Sequence, residues 1–426
     1  MRIAIIGGGW AGLAAAVRAV TMGHQVTLLE MSSSLGGRAR AVDHQGQRFD
    51  NGQHILIGAY CETLALMRLL GVDIDQALQR LPLTLLKPDG LGLALTTTSS
   101  PAAYCAAVLR HQTWSWVSRL RLLLTSTWWA LQGFRCAPGL TVAALTSRLP
   151  LPVRRDLIDP LCVAALNTPA ASASAQVFLR VLGDALMGGT GSADLLLPRQ
   201  SLDDLLPGPA SLWLKAHGVN IRLRQRVTRL APTEDGWEII GERFEHVVMA
   251  CTAREAARLA QDHQPEWSRS AQALPHEAIT TVYLEATDAR LNAAMVFLPE
   301  GPAQFAFDHG ALGMTPGRLA FVISAAADYE DLDRDQIGQA VLLQAATQFP
   351  PDTWPIPPRV VGVVTERRAT FRCEPGLDRP PAKVMPGLWA AGDYVAGPYP
   401  ATLEGAVRSG QQVIEQLAAV SFRDAK

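Results

Sequence analysis

One compact unit in the first thirty residues narrows the choice of fold more than anything after it. Arg2 to Ile6 is a short β-branched run of the kind buried in parallel sheets. Gly7-Gly8-Gly9-Trp10-Ala11-Gly12 follows, then a helix-like LAAAVRAV, a second strand from Gln25 to Leu29, and Glu30. Strand, G-x-G-x-x-G, helix, strand and acid together read as a dinucleotide-binding turn. Gly7 permits the tight turn, Gly9 lets the backbone approach a pyrophosphate, and Gly12 lets the helix pack closely on the sheet. Trp10 and Ala11 open that helix, whose free N–H groups and partial positive charge suit phosphates. Glu30 is placed to accept from ribose hydroxyls.

The 426 residues give room for about two to three domains around such a unit. Charged residues make up 18% and hydrophobic residues 48%, which excludes a disordered or fibrous chain. A net charge of -1 supplies no field for nucleic acid. The six cysteines form no C-x-x-C pair, so neither a zinc site nor a dithiol redox motif is expected, and no metal is called for. They read as reduced thiols in a reducing compartment. The apolar opening has the look of a short signal peptide, but its patterned glycines mark it as core structure. No run of about 20 apolar residues predicts a spanning helix. A cytoplasmic location follows as the expectation.

Two further segments belong with the glycine turn. Leu35-Gly36-Gly37-Arg38-Ala39-Arg40 comes soon after the second strand, where Gly37 and Arg38 can reach the same diphosphate and balance its charge. Asp50-Asn51-Gly52-Gln53-His54 comes next. At the far end, the apolar strand Leu388-Trp389-Ala390-Ala391 stops at Gly392-Asp393, and Tyr399-Pro400-Ala401-Thr402-Leu403-Glu404-Gly405 reads as a helix beginning at about Ala401. In the middle, residues 218–223 and 227–230 read as short strands, and Phe244 to Thr252 as an apolar strand ahead of a helix. No second G-x-G-x-x-G follows a strand, so electrons must come from an external donor.

These motifs resemble the FAD-binding amine oxidase and phytoene desaturase superfamily. The resemblance implies an α/β fold, in which a Rossmann-like FAD-binding domain is interleaved with a second, largely apolar α+β substrate domain. The first would use residues 1–80, 206–265 and 360–426, and the second 81–205 and 266–359, with the Pro-rich stretch 350–359 marking one crossing. It also implies that Gly392 and Asp393 bind the ribityl or diphosphate part of FAD. The helix end at Thr402 would point at the flavin ring, and Val227 would pass near the adenine.

From residue 90 to 155 there is no Asp or Glu, but seven arginines and four of the ten tryptophans. Read as one helix over 110–135, this segment puts Arg110, Arg121 and Arg135 on one side and Trp116, Leu120, Leu123, Leu124 and Leu131 on another, with Arg119 the misfit. Two readings stay open. The helix faces the core with a solvated basic side, or it lies peripherally in the headgroup layer of an anionic membrane. Residues 161–169, 178–187 and much of 181–197 are apolar and helical in pattern, walls that suit a lipid-like ligand beside a flavin.

Taken along the whole chain, GGGWAGLAAAV, LGGRAR, DNGQHILIG, the LNTP-to-LLLPR block and YPATLEGAVRSG resemble the hydroxysqualene dehydroxylase family. That resemblance implies a lipophilic isoprenoid substrate and the reductive conversion of hydroxysqualene to squalene, in squalene and hopanoid biosynthesis. A general acid would assist the departing water. His54 leads the candidates, with Tyr399 next and Asp184 and Asp194 after it; a purely structural bond from His54 to backbone or FAD is the other reading. The alternatives are an oxidative desaturase of a carotenoid-type polyene, an amine oxidase, or a non-catalytic lipid escort. The intact glycine turn speaks against the escort.

Overall fold

A computed structural model describes residues 1–424 apart from Gln45 and Glu330. A six-stranded sheet runs in the order Asn220–Arg222, Gln25–Leu29, Arg2–Ile6, His246–Met249, Leu388–Ala390 and Lys383–Met385. The first five are parallel and the last is an antiparallel edge. Both faces of the central strand are buried. Ile3 and Ile5 pack into one apolar cluster, and Ala4 and Ile6 into another. An apolar run from Ile3 to Ile6, with Arg2 exposed at its start, therefore suits it.

The helix Trp10–Thr21 packs against the C-terminal helix Leu403–Asp424. Small residues set the approach. A Cβ on Gly12 would fall 1.9 Å from Gly7 O, and one on Gly410 would fall 2.1 Å from Ala11 O. Glu404 is buried and accepts from the N–H groups of Glu62 and Thr63, the first turn of the helix Cys61–Leu69. A carboxylate at that end also meets the positive end of the helix dipole.

A second sheet of five antiparallel strands has the order Met295–Phe297, Phe305–Asp308, Arg318–Ile323, His276–Glu285 and Arg359–Phe371. Its side chains alternate with period two. Ala278, Val282 and Leu284 belong to the apolar cluster that includes Ile337 and Val341 of the helix Arg334–Gln348. Tyr283, Phe305 and Phe307 belong to the main cluster on the opposite side.

Several local expectations need correction. The strand Arg359–Phe371 pairs with His276–Glu285, so the chain leaves this sheet after residue 371 and not at 360. The stretch 110–135 is not one helix. Pro101–Arg110 ends at His111, whose ring stacks on Trp114 at 3.7 Å, and a new helix Trp116–Leu131 starts where Ser115 accepts from Ser118 N–H. Arg110 and Arg135 therefore lie outside the helix that holds Arg121. The helix Ala175–Met187 stops well short of 197, and Leu195–Pro198 is a strand pairing with Leu56–Ile57 and Leu78–Leu81. Residues 227–230 are not a strand, because the chain turns at Arg224 with φ 55°. The C-terminal helix begins at Leu403, two residues late, with Thr402 Oγ1 accepting from Gly405 N–H.

Candidate active site

A cavity of about 520 Å³ lies where the two sheets meet. Gly7, Gly9, Trp10 and Ala11 line it at the end of the first strand. The helix Trp10–Thr21 has neither a side-chain cap nor an acid in its first turn. Its early N–H groups lack helical partners, and an anion is the natural one. Gly12 lies off the cavity and acts through the close packing described above.

The second glycine pair is tied to the first. Gly36 N–H donates to Gly8 O at 2.8 Å, and Gly37, at φ +63°, sits so close that a Cβ would lie 3.0 Å from Gly9 Cα. Only glycine takes both that conformation and that distance without strain. Glu30 is buried at the end of its strand, where it accepts from Gly8 N–H at 2.6 Å and Ser32 N–H at 2.7 Å. It also lines the cavity, and its carboxylate retains acceptor capacity.

Arg38 and Asp393 meet from opposite ends of the chain. Arg38 Nη2 donates to both Asp393 oxygens, at 2.6 and 2.7 Å. Burial works against the charge on Arg38, but Asp393 outweighs it, so its pKa lies above the ordinary value. Arg38, expected to balance a diphosphate alone, thus also holds the Asp393 carboxylate. Gly392, Asp393, Thr402 and Val227 all line the cavity.

His54 lines it as well, with Nδ1 donating to Gly52 O at 2.9 Å. A carbonyl can only accept, so Nδ1 carries the proton in the neutral ring and Nε2 is left as an acceptor. Burial, and then the charge on Arg38, push its pKa below the ordinary value. The loop bearing it is anchored to the five-stranded sheet. Tyr283 Oη donates to Asp50 O at 2.9 Å, and His309 Nε2 bonds Gln53 Oε1 at 3.0 Å.

The other acid candidates lie off the cavity wall. Tyr399 Oη accepts from Arg180 at 2.8 Å, and the guanidinium groups of Arg180 and Arg408 each lie over its ring. Asp184 pairs with the same Arg180, and Asp194 is buried against Arg80 and Ser99 N–H.

Many cavity residues were not singled out from the sequence, among them the apolar Ile279, Phe305, Phe307 and Val322 and the polar Asn167 and Tyr394. Asn167, at φ 47°, ends the helix Asp159–Leu166, accepts from Ala325 N–H at 2.7 Å and donates to Thr370 Oγ1 at 3.0 Å. An Asn before Thr-Pro at a helix end is the signal that could have marked it. Tyr394 follows the Gly-Asp stop directly. Its hydroxyl is buried with no hydrogen-bond partner among the described residues. Such a group costs about 1–3 kcal/mol until something pairs with it.

An uncapped helix end and a glycine floor both fit a diphosphate-linked cofactor. The opposite wall, from Ile55, Ala164, Ala165, Ile279, Phe305, Phe307 and Val322, is apolar.

Comparison with known proteins agrees with this arrangement. The pattern of the family of flavin containing amine oxidoreductases matches residues 10–417. The chain is similar to hydroxysqualene dehydroxylase of Zymomonas mobilis, at 27% identity over 96% of each chain. It is equally similar to that of Rhodopseudomonas palustris, at 27% over 97% of this chain and 98% of the relative. A probable zeta-carotene desaturase of Synechococcus elongatus is 22% identical over 98% of each. Among solved structures, an oxidoreductase from Methanosarcina mazei superposes with a TM-score of 0.72 at 16% identity, over 97% of this chain and 100% of that one. Cyclohexylamine oxidase from Brevibacterium oxydans gives 0.68 at 17%, over 98% of each. With its glycine cradle closed by the chain's last helix, this protein belongs to the flavin containing amine oxidoreductases and is an FAD-dependent oxidoreductase.

Proposed function

We propose that the chain reductively removes the hydroxyl group of hydroxysqualene to give squalene. The observation that carries the reading is the apolar wall of Ile279, Phe305, Phe307 and Val322 facing the cofactor cradle across one cavity. Nearly full-length similarity to hydroxysqualene dehydroxylases supports it.

In the proposed reaction the C–O bond breaks, the hydroxyl takes one proton and leaves as water, and a hydride replaces it at carbon. When bound, reduced FAD supplies that hydride, and an external donor restores the two electrons. The apolar wall keeps water from the carbon while it carries positive charge. With Nδ1 engaged by Gly52, Nε2 of His54 is the atom left to hold a proton for the departing hydroxyl.

The pH dependence has a definite sign. His54 has a lowered pKa, so its protonated fraction grows as pH falls. Above that pKa, kcat is expected to rise toward acid by up to about tenfold per unit. His54→Gln should keep FAD, flatten this limb and lower kcat by about 100-fold or more. An unchanged pH profile in the variant would remove His54 from the role.

The similarity to a zeta-carotene desaturase favours a second reading, oxidative desaturation of a polyene. Anaerobic incubation of reduced holoenzyme with hydroxysqualene, and of oxidised holoenzyme with zeta-carotene, separates the two. Squalene detected by mass spectrometry in the first arm is the expected result. Product in the second arm alone would overturn the proposal.

A further inference from the structure

Among the described residues, eight of the eighteen exposed large hydrophobic side chains fall between 109 and 151. Six are on the helix Trp116–Leu131: Trp116, Val117, Leu120, Leu124, Trp128 and Leu131. At about 100° per residue they occupy an arc of about 120°. This is a continuous face, not scattered surface residues. Trp116 is 70% exposed and Leu131 77%, so none of the described residues covers it. The opposite side of the same helix, through Leu122 and Trp129, belongs to the main core.

The charge carried by this segment of the chain is of one sign, with Asp156, bonded to Trp114 Nε1, just beyond it. No acid occurs from residue 90 to 155. Arg110, Arg121, Arg135 and Arg148 form no ion pair among the described residues. Arg119 instead donates to the carbonyls of Leu109 and Trp114, and its guanidinium lies over the Trp116 ring. Tryptophan and arginine beside aliphatic side chains match the headgroup boundary of a bilayer. Among the described residues no helix is long and apolar enough to cross one.

The face is also joined to the cavity. Leu151–Val153 packs against Trp116–Leu131 and runs through the π-helical turn Arg154–Ile158 into Asp159–Leu166. Leu151, at the near end, is exposed, while Ala164 and Ala165 at the far end line the cavity. About 13 residues of helix span roughly 20 Å.

We infer that the exposed face of Trp116–Leu131 docks in the headgroup layer of an anionic membrane. The apolar arc enters the boundary layer, the unpaired arginines meet lipid phosphates, and the rod from Leu151 to Ala165 sets the cavity a fixed distance above the surface. Only the identity of the lipid drawn into the cavity rests on the function proposed above; the docking does not.

The test is flotation of the FAD-loaded protein with vesicles of phosphatidylcholine alone or mixed with phosphatidylglycerol. The wild type should float with the mixed vesicles and at least tenfold less with phosphatidylcholine. A Trp116→Ser, Leu124→Ser, Trp128→Ser variant should lose at least tenfold of the bound fraction while keeping its flavin spectrum and its activity on detergent-dispersed substrate. Arg110, Arg121, Arg135 and Arg148 changed to Gln should abolish the preference for anionic vesicles. Equal flotation of wild type and the serine variant would overturn the inference. So would no flotation combined with a wild-type dimer that the serine changes dissociate, which would make the face a contact between copies. Flotation needs no turnover, so its failure is distinct from failure of the proposed reaction.

Discussion

Arg38 and Asp393 lie 355 positions apart and hold each other by two short contacts. Asp393 is nearly buried and Arg38 about one-third exposed, so the pair is partly shielded from water. Arg38→Met would leave a buried carboxylate without its donor, at an expected cost of about 1–3 kcal/mol. It should also weaken retention of FAD, read as flavin absorbance remaining after desalting. Asp393→Asn keeps an acceptor and should cost less. Arg38 was picked out by its place beside a glycine pair, and Asp393 only through the family resemblance; both line the cavity. Their partnership was not legible, because no local pattern encodes a contact between distant segments. Tyr394 was invisible for a related reason: a tyrosine after Gly-Asp looks ordinary until its hydroxyl is seen buried without a partner.

At the level of elements, the contact between the first and last helices is set by absent side chains. Gly410→Val would drive its branched carbon into Ala11 O and Ala15 N. The helices must part, with an expected loss of about 1–3 kcal/mol. Because Ala11 lines the cavity, FAD affinity should fall with stability; thermal melts with and without added FAD check both. An unchanged melting temperature would mean the helices can separate freely. Elements with strong local signals were readable. The β-branched strand follows from its apolar run and the glycine turn from its motif; in Trp116–Leu131 the reading caught Trp116, Leu120, Leu124 and Leu131 of the exposed arc but missed Val117 and Trp128. The boundary at residue 360 and the supposed strand at 227–230 were misread, because strand pairing depends on partners far along the chain. The break at 111–115 was missed because its cause is a stacked His111–Trp114 pair and a serine cap inside an otherwise helical pattern.

Across the whole molecule, buried titratable groups set how the fold responds to acid. Burial holds His111 and His309 down to a pKa of about 4, against about 6.5 in the unfolded chain. Between those values the unfolded chain binds protons that the native state does not. Stability therefore falls as pH drops, by up to about 1.4 kcal/mol per pH unit for each group. Asp50 has the opposite sign. Burial raises its pKa to about 6, so its contribution is present in acid and lost as pH rises through 6. Two histidines outweigh one carboxyl, and the urea midpoint should be lower at pH 5 than at pH 7. His309→Gln should flatten that slope, and a higher midpoint at pH 5 would contradict the assignment. The interleaving of the chain carries a further consequence for biosynthesis. The floor of the cradle, from Gly7 to Arg38, is translated long before its lid, from Gly392 through the helix that seats Gly410. A nascent chain on the ribosome therefore presents an open, greasy half-site that no coenzyme can fully occupy. Flavin loading must wait until the helix Leu403–Asp424 has been made, and removing that helix should abolish it even though every glycine of the opening turn is intact.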